Sequence, residues 1–251
     1  WGRVYAARHR GRTTGNWERG MNRLGPRVRG PWGLETDVTD RGNVAGVLRM
    51  LGLKRGRAYQ EKLAGSLEER CAQVQSAIPA SAGSVLDIGC NLGDLTAWCA
   101  RRGLWSVGVD SSLELVADAR RRHRDIPNCT FIHQKLEPAD IGKLPIFDVV
   151  LLLSVHHHWL MAHGPDVAGT MLRTLASRTG QVLIFEGASR NIRYGKYPPG
   201  FVDNDEVSVT GYLEGYLRQH VADCFARIEP LGRTRCVGER EPYRWAWALH
   251  R

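Results

Sequence analysis

The sequence at positions 84–96 reads Ser84-Val85-Leu86-Asp87-Ile88-Gly89-Cys90-Asn91-Leu92-Gly93-Asp94-Leu95-Thr96. Its apolar first half predicts a strand, and its last residues predict a helix that begins directly after a loop of small residues. Gly89 and Gly93 permit positive φ angles and close approach of another group, and Asn91 tolerates a left-handed conformation. Because the unpaired N–H groups at the start of the helix point into the crevice above the strand, this loop predicts a backbone contact with a ligand.

An acidic residue ends the next predicted strand. Twenty-one residues after Gly89, the segment Ser106–Val109 runs into Asp110. A carboxylate at this place suits a ribose diol. A dinucleotide-binding enzyme is the competing interpretation, but its Gly-x-Gly-x-x-Gly motif has no leading acid, and here Gly93 follows Gly89 at an interval of four residues.

The loop and the acid together resemble the first two motifs of class I S-adenosylmethionine-dependent methyltransferases. Asp87, Gly89 and Gly93 match the acidic-x-Gly-x-Gly-x-Gly loop, and Asn91 stands where its middle glycine usually lies. The resemblance implies S-adenosylmethionine as cofactor, with another nucleotide or a ligand-free relic as alternatives. We expect the cofactor to contact Asp87, Gly89, Cys90, Asn91, Gly93, Asp110, Ser111, Leu136, Ser154 and Val155.

The rest of the chain alternates strands and helices, as in a doubly wound α/β sheet. The predicted strands are Val85–Ile88, Ser106–Val109, Thr130–Gln134, Phe147–Ser154, Gln181–Glu186, Ala226–Leu231 and Tyr243–Leu249. The predicted helices are Leu95–Arg102, Leu113–His123, Asp166–Arg178 and Gly211–Cys224. This order, which ends in a hairpin, fits the mostly parallel seven-stranded sheet of class I methyltransferases.

The first 65 residues differ from the rest in charge. They hold 14 Lys/Arg against 5 Asp/Glu, whereas residues 66–251 hold 21 of each, so the net charge of +9 lies in the first segment. We predict a basic, mainly helical extension over residues 1–65, with an irregular arm over 1–35, and a methyltransferase domain over 66–251. Arginines interleaved with tryptophans suit RNA or another phosphate-bearing partner; a solvated arginine-rich face is the alternative.

Composition limits the class of protein. A hydrophobic content of 43% is enough for a sizeable core, yet no segment approaches the roughly 18 apolar residues of a membrane span. The first twelve residues lack the apolar core of a secretory signal. The six cysteines form no Cys-x-x-Cys pair, so we expect reduced thiols and a cytoplasmic protein.

Three consecutive histidines, His156, His157 and His158, follow the fourth predicted strand, whose carboxyl end should face the ligand. We take them as candidate catalytic residues, since an imidazole can accept a proton near neutral pH. Because consecutive side chains point in different directions, one or two at most can face the methyl group; packing or helix capping is the alternative role. We predict no metal, although His163 and Glu186 could converge with them.

The segment Leu152–Trp159 is also similar to the Leu-Ser-Val-x-x-x-Trp signature of the bicoid-interacting, or methylphosphate-capping, methyltransferases. The glycine loop with its Asn, the segment Leu183–Glu186 and the closing Gly238–Tyr243 resemble the same family. The resemblance implies transfer to a phosphate oxygen, with RNA as acceptor. The chain departs from it after Glu186, where the family has Glu-Pro-Gln.

The acceptor itself stays unknown at this stage. We expect it to contact the polar insertion Gly187–Ser208, through Arg190, Arg193, Tyr194, Lys196 and Tyr197. The leading hypothesis is O-methylation of a phosphate-bearing or polyhydroxylated acceptor, such as RNA, a glycan or a natural product. The alternatives are a small-molecule O- or N-methyltransferase and a non-catalytic RNA-binding protein of the same fold.

Overall fold

The computed structural model describes residues 27–29, 35–37, 67–190, 193, 200–236 and 242–251. The strands in these ranges are β1 (Arg27–Arg29), β2 (Glu35–Asp37), β3 (Ser84–Ile88), β4 (Trp105–Asp110), β5 (Cys129–His133), β6 (Phe147–Leu153), β7 (Thr179–Gly187), β8 (Arg227–Arg235) and β9 (Tyr243–His250). The helices are α1 (Leu67–Ala77), α2 (Asp94–Arg101), α3 (Leu113–Arg122), α4 (Pro138–Ile141), α5 (His156–His163), α6 (Pro165–Ala176) and α7 (Glu206–Val221).

Seven strands form one sheet in the order β5-β4-β3-β6-β7-β9-β8. Strands β3 to β7 are parallel, and β9 runs antiparallel to both of its neighbours, β7 and β8. The predicted mostly parallel seven-stranded α/β sheet is therefore confirmed. Because the strand order reverses between β3 and β6, the carboxyl ends of these two strands border the crevice in which such sheets bind ligands.

Helices cover both faces of the sheet and bury it. On one face, α4 to α7 pack on a large cluster that includes Phe185, Leu213 and Trp247. On the other face, α1 and α2 pack on a second cluster around Val85 and Val149. Full burial of such side chains stabilises the fold by about 1.5–3 kcal/mol each, which keeps the strand ends at the crevice in fixed positions.

The structure differs from expectation near the N-terminus. Residues predicted as an irregular arm contain strand β1, which pairs antiparallel with β2, so that part of the prediction is wrong. The register joins Arg27 to Asp37 and Arg29 to Glu35, a pairing of distant residues that local periodicity does not reveal. Strands β1 and β2 are the described elements of the predicted extension 1–65, and the helices predicted for it lie outside the described residues. Helix α1 begins at Leu67, inside the predicted methyltransferase domain.

The bounds of two elements near the C-terminus differ from the predicted ones. Helix α7 begins before the predicted Gly211 because the Asp205 carboxylate accepts a hydrogen bond from Ser208 N and caps it. Strand β8 continues past the predicted Leu231, since a bulge between Pro230 and Gly232 on this edge strand accommodates both residues. None of the helices within the described ranges is long and apolar enough to cross a membrane.

Candidate cofactor and acceptor site

The loop between β3 and α2 has the backbone conformation that the sequence predicts. The φ angles are 74° at Gly89, 59° at Asn91 and 76° at Gly93, all in the left-handed region. Gly89 N and Cys90 N donate to Val109 O of the neighbouring strand at 2.7 and 3.1 Å. The loop is therefore fixed to β4 and turns sharply into α2.

The two glycines are also required by packing inside the protein. A Cβ atom built at Gly89 would lie 2.3 Å from Val155 Cγ2, and one built at Gly93 would lie 2.2 Å from Phe131 Cε1. Both distances are far inside van der Waals contact. The space that these glycines leave is thus filled by side chains that follow β6 and lie on β5.

Asp87 is a buried carboxylate beside the loop. It is 4% exposed, and its Oδ2 accepts a hydrogen bond of 2.6 Å from Thr96 Oγ1 of α2. Burial raises the pKa of Asp87 from 3.8 to about 6, with the nearby charge of Asp110 adding to the effect and the Thr96 hydrogen bond opposing it. A buried carboxylate of this kind is stabilised when a positively charged group lies beside it.

Asp110 joins the glycine loop to the next helix. Its Oδ2 accepts from Asn91 N at 2.9 Å, and its Oδ1 accepts from Ser112 N at 2.9 Å. Ser112 in turn caps α3 by accepting from Leu115 N. The carboxylate is therefore held at the carboxyl end of β4, where it borders the crevice.

A cavity of about 700 Å³ lies along these strand ends. It is lined by Asp87, Gly89, Cys90, Asn91, Asp110, Ser111, Leu136, Ser154 and Val155, all of them predicted cofactor contacts. Gly93 is not among the lining residues, since it packs against Phe131 behind the loop. The structure thus brings the predicted cofactor residues together in one cavity.

The sequence prediction missed Gln134 as a site residue. Gln134 lines the cavity directly after β5, and its amide oxygen is buried with no hydrogen-bond partner among the described residues. A ligand donor such as an adenine amine would satisfy this oxygen. The predicted third strand ended at Gln134, whereas β5 ends at His133, so Gln134 was taken as a strand residue and not as the first residue of the loop at the cavity.

A polar network around Glu186, which is 1% exposed at the end of β7, lies against one wall of the cavity. Arg70 of α1 donates to Glu186 in a bidentate pair, with Nε 3.0 Å from Oε2 and Nη2 2.7 Å from Oε1. Ser154, which has a φ of 56°, donates its hydroxyl to the same carboxylate and accepts from Arg244 Nε at 3.3 Å. Ser154 and Arg70 both line the cavity, so this network forms its wall.

The three histidines lie in three different environments at the start of α5. His156 packs among Phe185, Trp159 and Tyr216 in the core, and its Nε2 lies 3.2 Å from the Tyr216 hydroxyl. Burial lowers the pKa of His156 to about 3. This placement gives His156 a structural position away from the cavity lining.

His157 is buried beside His158, with their ring centroids 4.1 Å apart. Burial lowers the pKa of His157 to about 2, and the positive charges of Arg193 and Arg244 contribute to this shift. His158 lines the cavity with an exposed side chain, yet the protein around its ring and the Arg193 guanidinium lower its pKa below the usual value. Of the three predicted catalytic histidines, His158 is the one that faces the cavity.

The polar insertion is described in part. Arg190 forms an ion pair with Asp203 at 3.4 Å, and Arg193 N donates to Arg190 O at 3.1 Å. The other predicted acceptor contacts, Tyr194, Lys196 and Tyr197, lie outside the described residues. Within the described residues, no group of three or more His, Cys, Asp or Glu side chains is arranged to hold a metal ion.

A sheet of this strand order, with a glycine loop after its first strand and an acid after its second, defines the class I methyltransferase fold. The model of a family described as a methyltransferase domain matches residues 86–181, from β3 to the start of β7. No curated protein sequence matches the chain. The chain therefore contains a methyltransferase domain and has the fold of class I S-adenosylmethionine-dependent methyltransferases.

Solved structures share the fold at low sequence identity. The bifunctional kinase-methyltransferase WbdD is 22% identical with a TM-score of 0.58, over 72% of this chain and 39% of its own. Magnesium protoporphyrin IX methyltransferase (ChlM) from Synechocystis PCC 6803 with bound SAH is 20% identical with a TM-score of 0.51, over 77% of this chain and 84% of its own. The N-terminal domain of EvdMO1 with SAH bound is 17% identical with a TM-score of 0.52, over 73% and 80%. The chain thus spans less than half of WbdD.

Proposed function

We propose that this methyltransferase transfers the methyl group of S-adenosylmethionine to an oxygen atom of a phosphate-bearing or polyhydroxylated acceptor. The observation that carries the proposal is the continuity of one cavity from Asp110 and the glycine loop to Ser154 and His158, with Arg70 in its wall. A cofactor bound at one end and an acceptor at the other would meet inside this cavity.

The cofactor end offers groups suited to each part of S-adenosylmethionine. Asp110 would accept hydrogen bonds from ribose hydroxyls, and Gln134 would accept one from the adenine amine. Asp87 would balance the positive charge of the methionine part. The bound cofactor supplies a methyl group on a sulfonium, which is a good leaving group, so the protein's contribution is in-line positioning.

Arginines lie close to the part of the cavity that Ser154 and His158 line, although the lining contains neither Arg193 nor Arg244. Arg193, in the insertion, acts on the pKa of His158, and the buried Arg244 contacts Ser154. Guanidinium groups match phosphate oxygens in pairs, which supports an acceptor with a phosphate. An acid in the same insertion could instead orient an amine, but Asp203 forms an ion pair with Arg190, which disfavours that role.

His158 is the candidate base if the acceptor is a hydroxyl group. Its lowered pKa keeps the imidazole neutral at pH 7, so it can accept a proton but does so as a weak base. A phosphate oxygen is already ionised and needs no base. Replacement of His158 therefore separates the two kinds of acceptor.

The test is transfer of labelled methyl from S-adenosylmethionine to fractionated RNA, glycan and small-molecule pools by the whole chain. We expect label in a phosphate-bearing or polyhydroxylated fraction, reduced by Arg193→Gln and kept by Arg121→Gln, which changes an exposed arginine of α3. If the basic segment 1–65 contributes to RNA binding, methylation of RNA should fall steeply as the salt concentration rises. Label confined to amines, or absence of label despite cofactor binding, would contradict the proposal.

A further inference from the structure

We propose that His123, at the end of α3, is a positioning residue that holds the cofactor loop in its binding conformation. The inference rests on the proposed cofactor end of the cavity and adds a residue that lies outside it. His123 follows the last residue of α3, and its backbone N donates to Ala119 O at 3.0 Å, which caps the helix. Its side chain then reaches back beneath the glycine loop.

The imidazole Nε2 contacts two acceptors of the loop. It lies 3.1 Å from the carbonyl oxygen of Leu92 and 3.3 Å from Oδ1 of Asp94, the first residue of α2. Both Leu92 and Asp94 line the cavity. A carbonyl and a carboxylate cannot donate to the ring, so Nε2 must carry the proton and donate to them.

Burial makes this hydrogen bond difficult to replace by water. His123 is 8% exposed, and its Nδ1 is buried with no partner among the described residues. The tautomer with a proton on Nε2 is the form that this environment selects, because a proton on Nδ1 instead would leave the Leu92 carbonyl and the Asp94 carboxylate facing a bare nitrogen. The tautomer is therefore a direct consequence of the proposed role.

The contact fixes a strained part of the loop. The planar Leu92–Gly93 peptide turns as a unit, so anchoring the Leu92 carbonyl also fixes the direction of Gly93 N, which donates to Cys90 O at 2.9 Å. Asn91 and Gly93 on either side have positive φ angles. The ring of His123 also packs against Phe131, with centroids 5.7 Å apart, and Phe131 fills the space beside Gly93.

The test combines three variants of the full chain with calorimetric titration of S-adenosylhomocysteine and denaturant unfolding. His123→Phe keeps a ring against Phe131 and removes the donor, whereas His123→Gln keeps an N–H donor. His156→Phe is the control, since His156 is also buried but packs in the core, outside the cavity lining. We expect affinity to fall about tenfold or more in His123→Phe, to stay within about threefold in His123→Gln, and to stay unchanged in His156→Phe.

A second measurement uses only the wild-type protein, so its result does not depend on whether a variant folds. Nitrogen-15 NMR of the wild-type imidazole reports the tautomer of His123, and we expect Nε2–H both with and without S-adenosylhomocysteine. An Nδ1–H tautomer, or equal affinities of His123→Phe and the wild type, would overturn the role of His123 alone. Absence of binding by the wild type would overturn the proposed cofactor end instead, so the two failures are distinguishable.

Discussion

Replacement of Asp87 by Asn is expected to stabilise the protein and weaken cofactor binding. In the folded state the pKa of Asp87 is raised from 3.8 to about 6, mainly by burial. A raised folded pKa means that the contribution of this group to stability is complete below pH 3.8 and is lost as the pH rises through about 6. At pH 7 the ionised carboxylate therefore opposes folding.

The shift of about two pKa units corresponds to about 3 kcal/mol at pH 7, at about 1.4 kcal/mol per unit. Asparagine cannot ionise, and its amide oxygen can still accept the hydrogen bond from Thr96 Oγ1. We expect Asp87→Asn to raise the free energy of unfolding by up to about 3 kcal/mol at pH 7 and by roughly half of that at pH 5. Affinity for S-adenosylmethionine should fall about tenfold or more, since the buried carboxylate is lost.

The assay is denaturant unfolding of both proteins from pH 5 to pH 8, with titration of the cofactor at pH 7. Asp148→Asn is the matched control of opposite sign. Asp148 accepts from Gly83 N, Ser84 and Gln181 at 2.8–3.0 Å, and these hydrogen bonds lower its pKa. Asp148→Asn should lose about 1–3 kcal/mol and keep cofactor affinity. A less stable Asp87→Asn at pH 7, or one with wild-type affinity, would refute the reasoning.

Three further changes test other parts of the site. Gly93→Ala should lower the free energy of unfolding by about 2–4 kcal/mol, because its Cβ would overlap Phe131. Gly103→Ala, whose Cβ would have no neighbour within 4 Å, should lower it by about 1 kcal/mol, and equal losses would contradict the packing argument. Glu186→Gln should lower the free energy of unfolding by about 3 kcal/mol, because it removes the buried charge that pairs with Arg70. The exposed Glu214→Gln should lower it by less than about 0.5 kcal/mol, and similar losses in the two variants would show that the Glu186 network is not a buried pair. Arg193→Gln should raise the pKa of His158 in an NMR titration, because the Arg193 charge lowers it. An unchanged pKa would show that Arg193 does not lie close to His158.

The glycine loop could be predicted because its chemistry is local. Gly89, Asn91 and Gly93 need positive φ angles that few other residues adopt, and the strand before them and the helix after them show clear patterns. The seven-stranded order followed from the alternation of strands and helices together with the resemblance to methyltransferases. Residues whose role depends only on neighbours in the chain were therefore found.

Residues whose role depends on distant neighbours were not found. Arg70 and Glu186 are separated by 116 positions, and no sequence pattern connects them. Neither could the sequence decide among three adjacent histidines, since successive residues of a helix point about 100° apart and α5 itself was not predicted. His123 was predicted only as the last residue of a helix, since its contact with Leu92 forms when α3 packs against the glycine loop.

The most direct test of the central claim is calorimetric titration of S-adenosylmethionine into the whole chain and into Asp110→Asn, with Asp118→Asn in α3, outside the cavity lining, as control. We expect one-site binding to the wild type and the control, weakened about tenfold or more in Asp110→Asn, because this carboxylate borders the cavity and anchors Asn91. No binding to the wild type, or equal affinity in all three proteins, would contradict a cofactor site at the ends of β3 and β4.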